Sequence, residues 1–171
     1  MKYFFLLTSI ITIGFSNTIK IDSFEADFKQ VVVNDKKNEL IYTGHVQAKK
    51  PQFALWLYTS PTEKQIYISD NRVTIVEADI EQVIIKHISN AFNFFNMIKN
   101  AKHIDNNTYV ASFQNIKYII KFKESKIQSI SYQDELENDI LITFSNQQQN
   151  QKIDNKIFIP IFPLEYDIIE D

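Results

Sequence analysis

Three histidines and one acidic cluster are the side chains of this 171-residue sequence that have the types needed for acid–base or metal chemistry. His45, His87 and His103 fall on separate predicted elements, and none has a second ligand at a spacing that would complete a metal site. The acidic cluster at 134–139 lies at a predicted hairpin, where it lacks the apolar burial that tunes a catalytic carboxylate pair. We therefore expect no catalytic residues, no metal site and no cofactor.

The composition excludes further classes of site. The chain has two glycines and no cysteine, so glycine-rich phosphate loops, disulfides and thiolate metal sites are absent. The formal charge is −3, and acidic and basic residues are dispersed along the sequence, so we expect no nucleic-acid surface. The length fits one domain with a sizeable core.

The elements that would position a site are mostly strands. A short helix capped by Asp22 or Ser23 is predicted first, because Phe24 and Phe28 are one helical turn apart. Residues 147–151 are predicted to be a glutamine-rich loop. Apolar runs bounded by turn residues predict strands at 40–48, 52–59, 65–69, 73–77, 80–87, 109–113, 118–123, 126–133 and 139–145, followed by a β-rich tail whose prolines place it at a sheet edge. A sheet of about ten strands must curl or close, and side chains, a helix or a ligand must fill its inner surface.

Residues 53–58, with the sequence Phe-Ala-Leu-Trp-Leu-Tyr, are apolar or aromatic at every position. A strand with one solvated face alternates apolar with polar residues, so this strand should cover apolar material with both faces. It carries Trp56, the only tryptophan of the chain, which we expect to line a cavity. A strand in a filled core would show the same pattern.

A change of period predicts a helix over residues 90–102, with Ser89 as its N-cap. Its apolar residues cover an arc of roughly 220°, whereas an amphipathic surface helix needs a stripe of about 100°. Asn93, Asn96 and Asn100 occupy the remaining arc. The excess apolar surface favours a lid over a cavity, although a well-buried core helix would also account for it.

The first sixteen residues have the features of a secretory signal peptide. A basic residue precedes an apolar core at 3–15 that is too short to span a membrane, and Gly14 and Ser16 are small. We expect cleavage after Ser16 and a single exported domain at 17–171. No cysteine follows the apolar core, so the mature protein should not carry an N-terminal lipid.

Four stretches of the sequence resemble the conserved motifs of one protein family. They are 23–30 (Ser-Phe-Glu-Ala-Asp-Phe-Lys-Gln), 44–51 with the following Trp56, Tyr58 and Pro61, 68–71 with 79–83, and the proline-interrupted tail 158–167. In this order they resemble the family of periplasmic outer-membrane lipoprotein carriers (LolA). The sequence departs from the family pattern at Asn71, which replaces a turn glycine, and at Lys50, which stands where an arginine is common.

The resemblance implies a mainly β (α+β) fold, in which a curled antiparallel sheet forms an unclosed β-barrel and a helical lid covers its apolar concave face. It implies a non-enzymatic, monomeric carrier in the periplasm. This carrier would shield the acyl chains of lipoproteins, receive them from an inner-membrane ATP-driven (ABC) transporter and deliver them to an outer-membrane acceptor. Lys50 would close the lid, a role that the family gives to an arginine. The residues expected to line the acyl-chain cavity are Phe28, Trp56, Tyr58, Phe92, Phe94, Phe95 and Ile98.

Three other functions remain open at the level of the sequence. The same fold could bind another envelope lipid or a glycolipid. A hydrolase would turn over a chromogenic ester, which a carrier should not. A protein-binding module with a filled core would bind no fluorescent fatty-acid probe.

Overall fold

One long sheet is the framework of the computed structural model, which describes residues 20–69, 71–88 and 93–170. Its strands are β1 Ser23–Val33, β2 Glu39–Lys49, β3 Phe53–Ser60, β4 Lys64–Ser69, β5 Arg72–Glu77, β6 Gln82–His87, β7 Lys102–Asp105, β8 Thr108–Phe113, β9 Ile116–Lys123, β10 Lys126–Gln133, β11 Asp139–Gln149 and β12 Asp167–Glu170. The helix α1 is Phe94–Asn100, and short 3-10 turns cover Ala78–Ile80 and Asn155–Phe158.

The strand order is β12-β6-β5-β4-β3-β2-β1-β11-β10-β9-β8-β7, and every pairing is antiparallel except that of β12 with β6. Within the described residues β12 and β7 end the sheet without pairing with each other, so the sheet is curled but open. The predicted fold class is therefore confirmed. The sheet has twelve strands, where the sequence predicted about ten.

The prediction of a helix at the start of the domain is wrong, because this segment is β1. Phe24, Ala26 and Phe28 are buried and alternate with the more exposed Glu25 and Asp27, which is the two-residue period of a strand. Two residues four positions apart share a face in a strand as well as in a helix, so the phenylalanine spacing did not discriminate between them. Pairing with β2 on one side and β11 on the other determines the outcome.

Gly44 lies where the sheet bends. The register of β2 against β3 shifts between Thr43 and Gly44. A Cβ atom at residue 44 would come within 2.0 Å of the Leu57 carbonyl oxygen and 2.8 Å of the Phe28 ring. Only glycine permits this close approach, which lets the aromatic ring of β1 cover the bend.

Both faces of β3 are covered, as its sequence predicted. Trp56 and Ala54 face the concave side together with Phe28 and other residues of the main apolar cluster. Leu55 belongs to a second cluster on the convex side, where the chain after β11 packs against it through Ile153 and Phe158. The C-terminal segment therefore supplies the second apolar layer.

Two further predictions need correction. The helix α1 begins at Phe94 rather than residue 90, and Lys102 already belongs to β7; the predicted cap Ser89 lies outside the described residues. The predicted glutamine-rich loop is largely the end of β11, where the buried Gln147 accepts from the Ile127 backbone nitrogen at 3.1 Å and donates to its carbonyl at 2.8 Å. A side chain that replaces strand pairing in this way is satisfied, so burying it is not costly.

Candidate functional site

A small apolar cavity lies between the concave face of the sheet and α1. The sheet contributes Phe24, Val46, Ala48, Trp56, Ile68 and Phe144, the helix contributes Phe94 and Phe95, and Gln52 is a polar member of the lining. The free space is about 40 Å³. A few water molecules would fill this volume, whereas sites for organic ligands typically measure about 300–1,000 Å³. At this volume the cavity does not hold an acyl chain.

The helix α1 packs its apolar side chains against the concave face of the sheet. Phe95, Met97 and Ile98 are each less than a tenth exposed, and Phe94 is half-buried. At 100° per residue these four side chains span an arc of about 160°. The curved sheet wraps around the helix, so this wide arc is buried rather than left over as the sequence suggested. Its rings contact the sheet directly, since the Phe94 centroid is 5.4 Å from that of Phe24.

One asparagine both caps α1 and attaches it to the rim of the cavity. The Asn93 Oδ1 atom accepts from the backbone nitrogen of Asn96 at 2.9 Å, which is the N-cap bond of the helix. Its Nδ2 atom donates to the Pro51 carbonyl at 3.1 Å and to Gln52 Oε1 at 3.3 Å. In the sequence, Asn93 was predicted only to be part of the polar helix face. An asparagine directly before the apolar run was the signal for the cap.

The predicted cavity residues fall into three groups. Trp56, Phe94 and Phe95 line the free space. Phe28, Tyr58 and Ile98 pack in the same apolar cluster without lining it. Phe92 lies outside the described residues. The contact of any of them with a ligand stays a prediction.

The concave face has a polar end at Tyr58. The Tyr58 hydroxyl donates to Gln30 Oε1 at 2.9 Å, and burial raises the pKa of this phenol above its ordinary value. Its ring lies 5.0 Å from Phe28, which in turn lies 5.0 Å from Trp56. The aromatic row therefore continues from the cavity towards a neutral, hydrogen-bonded hydroxyl.

Lys50 contacts Asp22 rather than the described part of the lid. Its Nζ atom lies 2.6 Å from Asp22 Oδ1, and both side chains are about half exposed. The hydrogen bond from Lys50 lowers the pKa of the Asp22 carboxyl. Such a solvent-exposed pair adds little to stability. Lid closure by Lys50 stays a prediction.

His45 is in an ionic cluster on the convex face. Its Nδ1 atom is 2.8 Å from Asp27 Oδ1, and its Nε2 atom is 3.2 Å from Glu25 Oε1. The hydrogen bond from His45, with a second from Asn146, lowers the pKa of Asp27.

Among the described residues no group of three or more acidic, histidine or cysteine side chains is arranged to hold a metal ion. No helix within the described residues is long and apolar enough to cross a membrane.

Comparison with known proteins identifies the family to which this chain belongs. The family model described as "Outer membrane lipoprotein carrier protein LolA" matches residues 19–160. The chain belongs to the LolA family. A relative from Campylobacter jejuni, named outer-membrane lipoprotein carrier protein, is 43% identical over 171 residues, which is 99% of each chain. A relative of the same name from Helicobacter pylori is 35% identical over 139 residues, covering 81% of this chain and 74% of its own.

Solved structures agree on the LolA fold. A LolA superfamily protein from Nitrosomonas europaea superimposes with a TM-score of 0.50 at 12% identity, over 81% of this chain and 90% of its own. A conserved protein from Thermus thermophilus gives a TM-score of 0.52 at 9% identity, over 88% of this chain and 91% of its own. At such low identity the likeness concerns the fold alone.

Proposed function

We propose that this LolA family member is a periplasmic carrier that shields the acyl chains of lipoproteins in the cavity beneath α1. It would receive them, as a monomer, from an inner-membrane ABC transporter and deliver them towards the outer membrane. The observation that carries the proposal is an apolar cavity beneath a helix. The apolar side chains of this helix pack against the same concave surface that lines the cavity. The names of the relatives from Campylobacter jejuni and Helicobacter pylori support the same cargo.

The energetics of acyl chains explain why a closing lid is useful. Each buried methylene is worth about 0.8 kcal/mol, so one chain of roughly 15 methylenes holds about 12 kcal/mol in a membrane. Extraction therefore needs an energy source, and the transporter would supply it. After extraction the carrier must keep the chains dry but still release them.

The lid meets both requirements by competing with the cargo. Burial of Phe95, Met97 and Ile98 is worth about 1.5–3 kcal/mol for each side chain. Entering acyl chains would displace these side chains from the concave surface. The apolar contacts of the helix with the sheet would then be replaced by those of the acyl chains. The stabilisation regained when the helix closes again would favour release to the acceptor.

The helix α1 is held by its surroundings rather than by its own stability. It has seven residues, fewer than an isolated helix needs to be stable, so its structure depends on its cap and on packing against the sheet.

Export of the protein would depend on the signal peptide at residues 1–16. The periplasmic form should then begin at Asn17, and an intact mass that retains Met1 in that fraction would refute this part.

The carrier function is tested by incubating delipidated protein with vesicles that contain a labelled triacylated lipopeptide. A carrier should yield a soluble, stoichiometric complex that elutes at the size of one protein chain. Retention of a glycolipid but not of the lipopeptide would instead favour the alternative cargo. Turnover of a chromogenic ester would indicate an enzyme, and a protein that binds neither lipid would have a filled core.

A further inference from the structure

A groove rich in side-chain amides lies beside the lid. It encloses about 560 Å³. Its lining includes six amide side chains, from Gln52, Asn71, Asn93, Asn96, Asn100 and Gln114, and among the described residues it includes no charged side chain. The sequence analysis placed three of these asparagines on the polar arc of the helix and assigned them no function.

The groove and the cavity are separated by α1. Phe94 and Phe95 line the cavity, whereas Asn96 and Asn100 of the same helix line the groove. Gln52 belongs to both linings and marks the place where they meet. A molecule that is anchored in the cavity and emerges past Gln52 would enter the groove directly if the acyl chains displace the apolar side chains of α1 and leave its amide face beside Gln52.

Several of the amides are available to a ligand. Asn96, Asn100 and Gln114 are exposed, and their side chains hold no hydrogen bond to another residue of the described part. Each amide side chain offers two donors and one acceptor oxygen, which match the carbonyl and N–H groups of a peptide unit. Because these amides are neutral, their recognition of a peptide unit would not depend on the charges of the ligand.

We infer that this groove binds the first residues of the cargo's polypeptide, in extended form, through their backbone groups. The inference rests on the proposed function, since a lipoprotein carries its acyl chains at its N-terminal residue. Acyl chains held in the cavity would place the first peptide bonds at the cavity mouth beside Gln52. The backbone is the part of the polypeptide that different lipoproteins share, and neutral amides recognise it without regard to side chains.

The test measures the affinity of the delipidated protein for three probes. These are a triacylated cysteine amide, the same lipid extended by four uncharged residues, and that extension with its backbone nitrogens methylated. We expect the four residues to tighten binding by about tenfold, equivalent to about 1.4 kcal/mol. Methylation should abolish the gain because it removes the backbone donors.

The matched variants are Asn96→Ala with Asn100→Ala, and Gln128→Ala as the control. Gln128 is an exposed amide on β10 that does not line the groove. The double variant should lose the gain, whereas the control should keep it. The gain is a ratio of two affinities of the same protein, so changes in lid stability caused by alanine cancel.

The outcomes are distinguishable. If the lipid binds with equal affinity with and without the peptide, or if the gain survives methylation or the double substitution, the inference is wrong and the carrier function stands. A gain that appears with a sugar headgroup and not with the peptide would assign the groove to a glycan and would also overturn the inference. If none of the triacylated probes binds, the proposed function fails and the inference fails with it.

Discussion

The strength of the lid can be tuned at Asn93 without removing the helix cap. Asn93→Ser keeps a side-chain oxygen that can cap α1 but loses the amide that donates to the Pro51 carbonyl and Gln52. Asn93→Asp also keeps the cap, and it sets a carboxylate against those two acceptor oxygens. Both substitutions should weaken the attachment of the closed lid to the cavity rim.

The magnitude follows from the value of one hydrogen bond. A neutral bond of this kind contributes about 0.5–1.5 kcal/mol, and each 1.4 kcal/mol is a factor of ten. A ligand that binds only the open state has an apparent affinity proportional to the open fraction. Asn93→Ser should therefore tighten acyl binding about two- to tenfold. Asn93→Asp should tighten acyl binding by about tenfold or more. Its carboxylate would face the Pro51 carbonyl and Gln52 Oε1, which are both acceptors, with no donor between them.

The assay is a titration of delipidated protein with the triacylated cysteine amide, together with its dissociation rate. Asn107→Ser, in the exposed turn between β7 and β8, is the matched control and should leave both values unchanged. The tightening should appear in the association rate, because the substitutions raise the open fraction of the free protein and leave the cargo-bound state unchanged. If folded Asn93→Ser and Asn93→Asp bind as weakly as wild type or more weakly, the bond to Pro51 does not hold the lid closed.

Three other substitutions test separate parts of the structure. Gly44→Ala should lower the free energy of unfolding in urea by about 1–3 kcal/mol, because the new Cβ would meet the Leu57 carbonyl; an unchanged midpoint would mean that the strands separate there without cost. The lowered pKa of Asp27 gives stability that is present above the unfolded pKa, near 3.8, and is lost as the pH falls through the folded pKa. Removing the imidazole by His45→Leu should therefore reduce the loss of stability between pH 6 and pH 2, and an equal loss in both proteins would contradict this account. Phe95→Glu should weaken acyl binding more than it lowers the urea midpoint, since a charge among acyl chains is unpaired; complete loss of folding would show that α1 is core and not lid.

Most of the sheet was predictable from the sequence because strands leave a local signal. Apolar runs between turn residues located β2 to β6 and β8 to β11 within a few residues. The uniformly apolar β3 was recognised as covered on both faces, but the sequence did not show that the C-terminal segment supplies the second layer. That contact joins residues about 100 positions apart, and no local pattern encodes it.

The errors arose where a local pattern was compatible with two structures. The spacing of Phe24 and Phe28 fits a helix and a strand equally, and pairing with two neighbouring strands decided for the strand. Gln147 looked like part of a polar loop, although its amide replaces backbone partners inside the sheet. The wide apolar arc of α1 was predicted to exceed one packing face, whereas the structure buries Phe95, Met97 and Ile98 against the concave face, a contact that no local pattern encodes.

The central claim is that acyl chains occupy the space beneath α1. Trp56 lines this space and is the only tryptophan of the chain, so its fluorescence reports on the cavity. The most direct measurement is a titration with a triacylated cysteine amide whose acyl chains carry bromine, which quenches tryptophan on contact. We expect saturable quenching that ends at one ligand per chain and is absent with unbrominated lipid. Saturable binding of the brominated lipid that leaves Trp56 unquenched would place the acyl chains elsewhere and contradict the account.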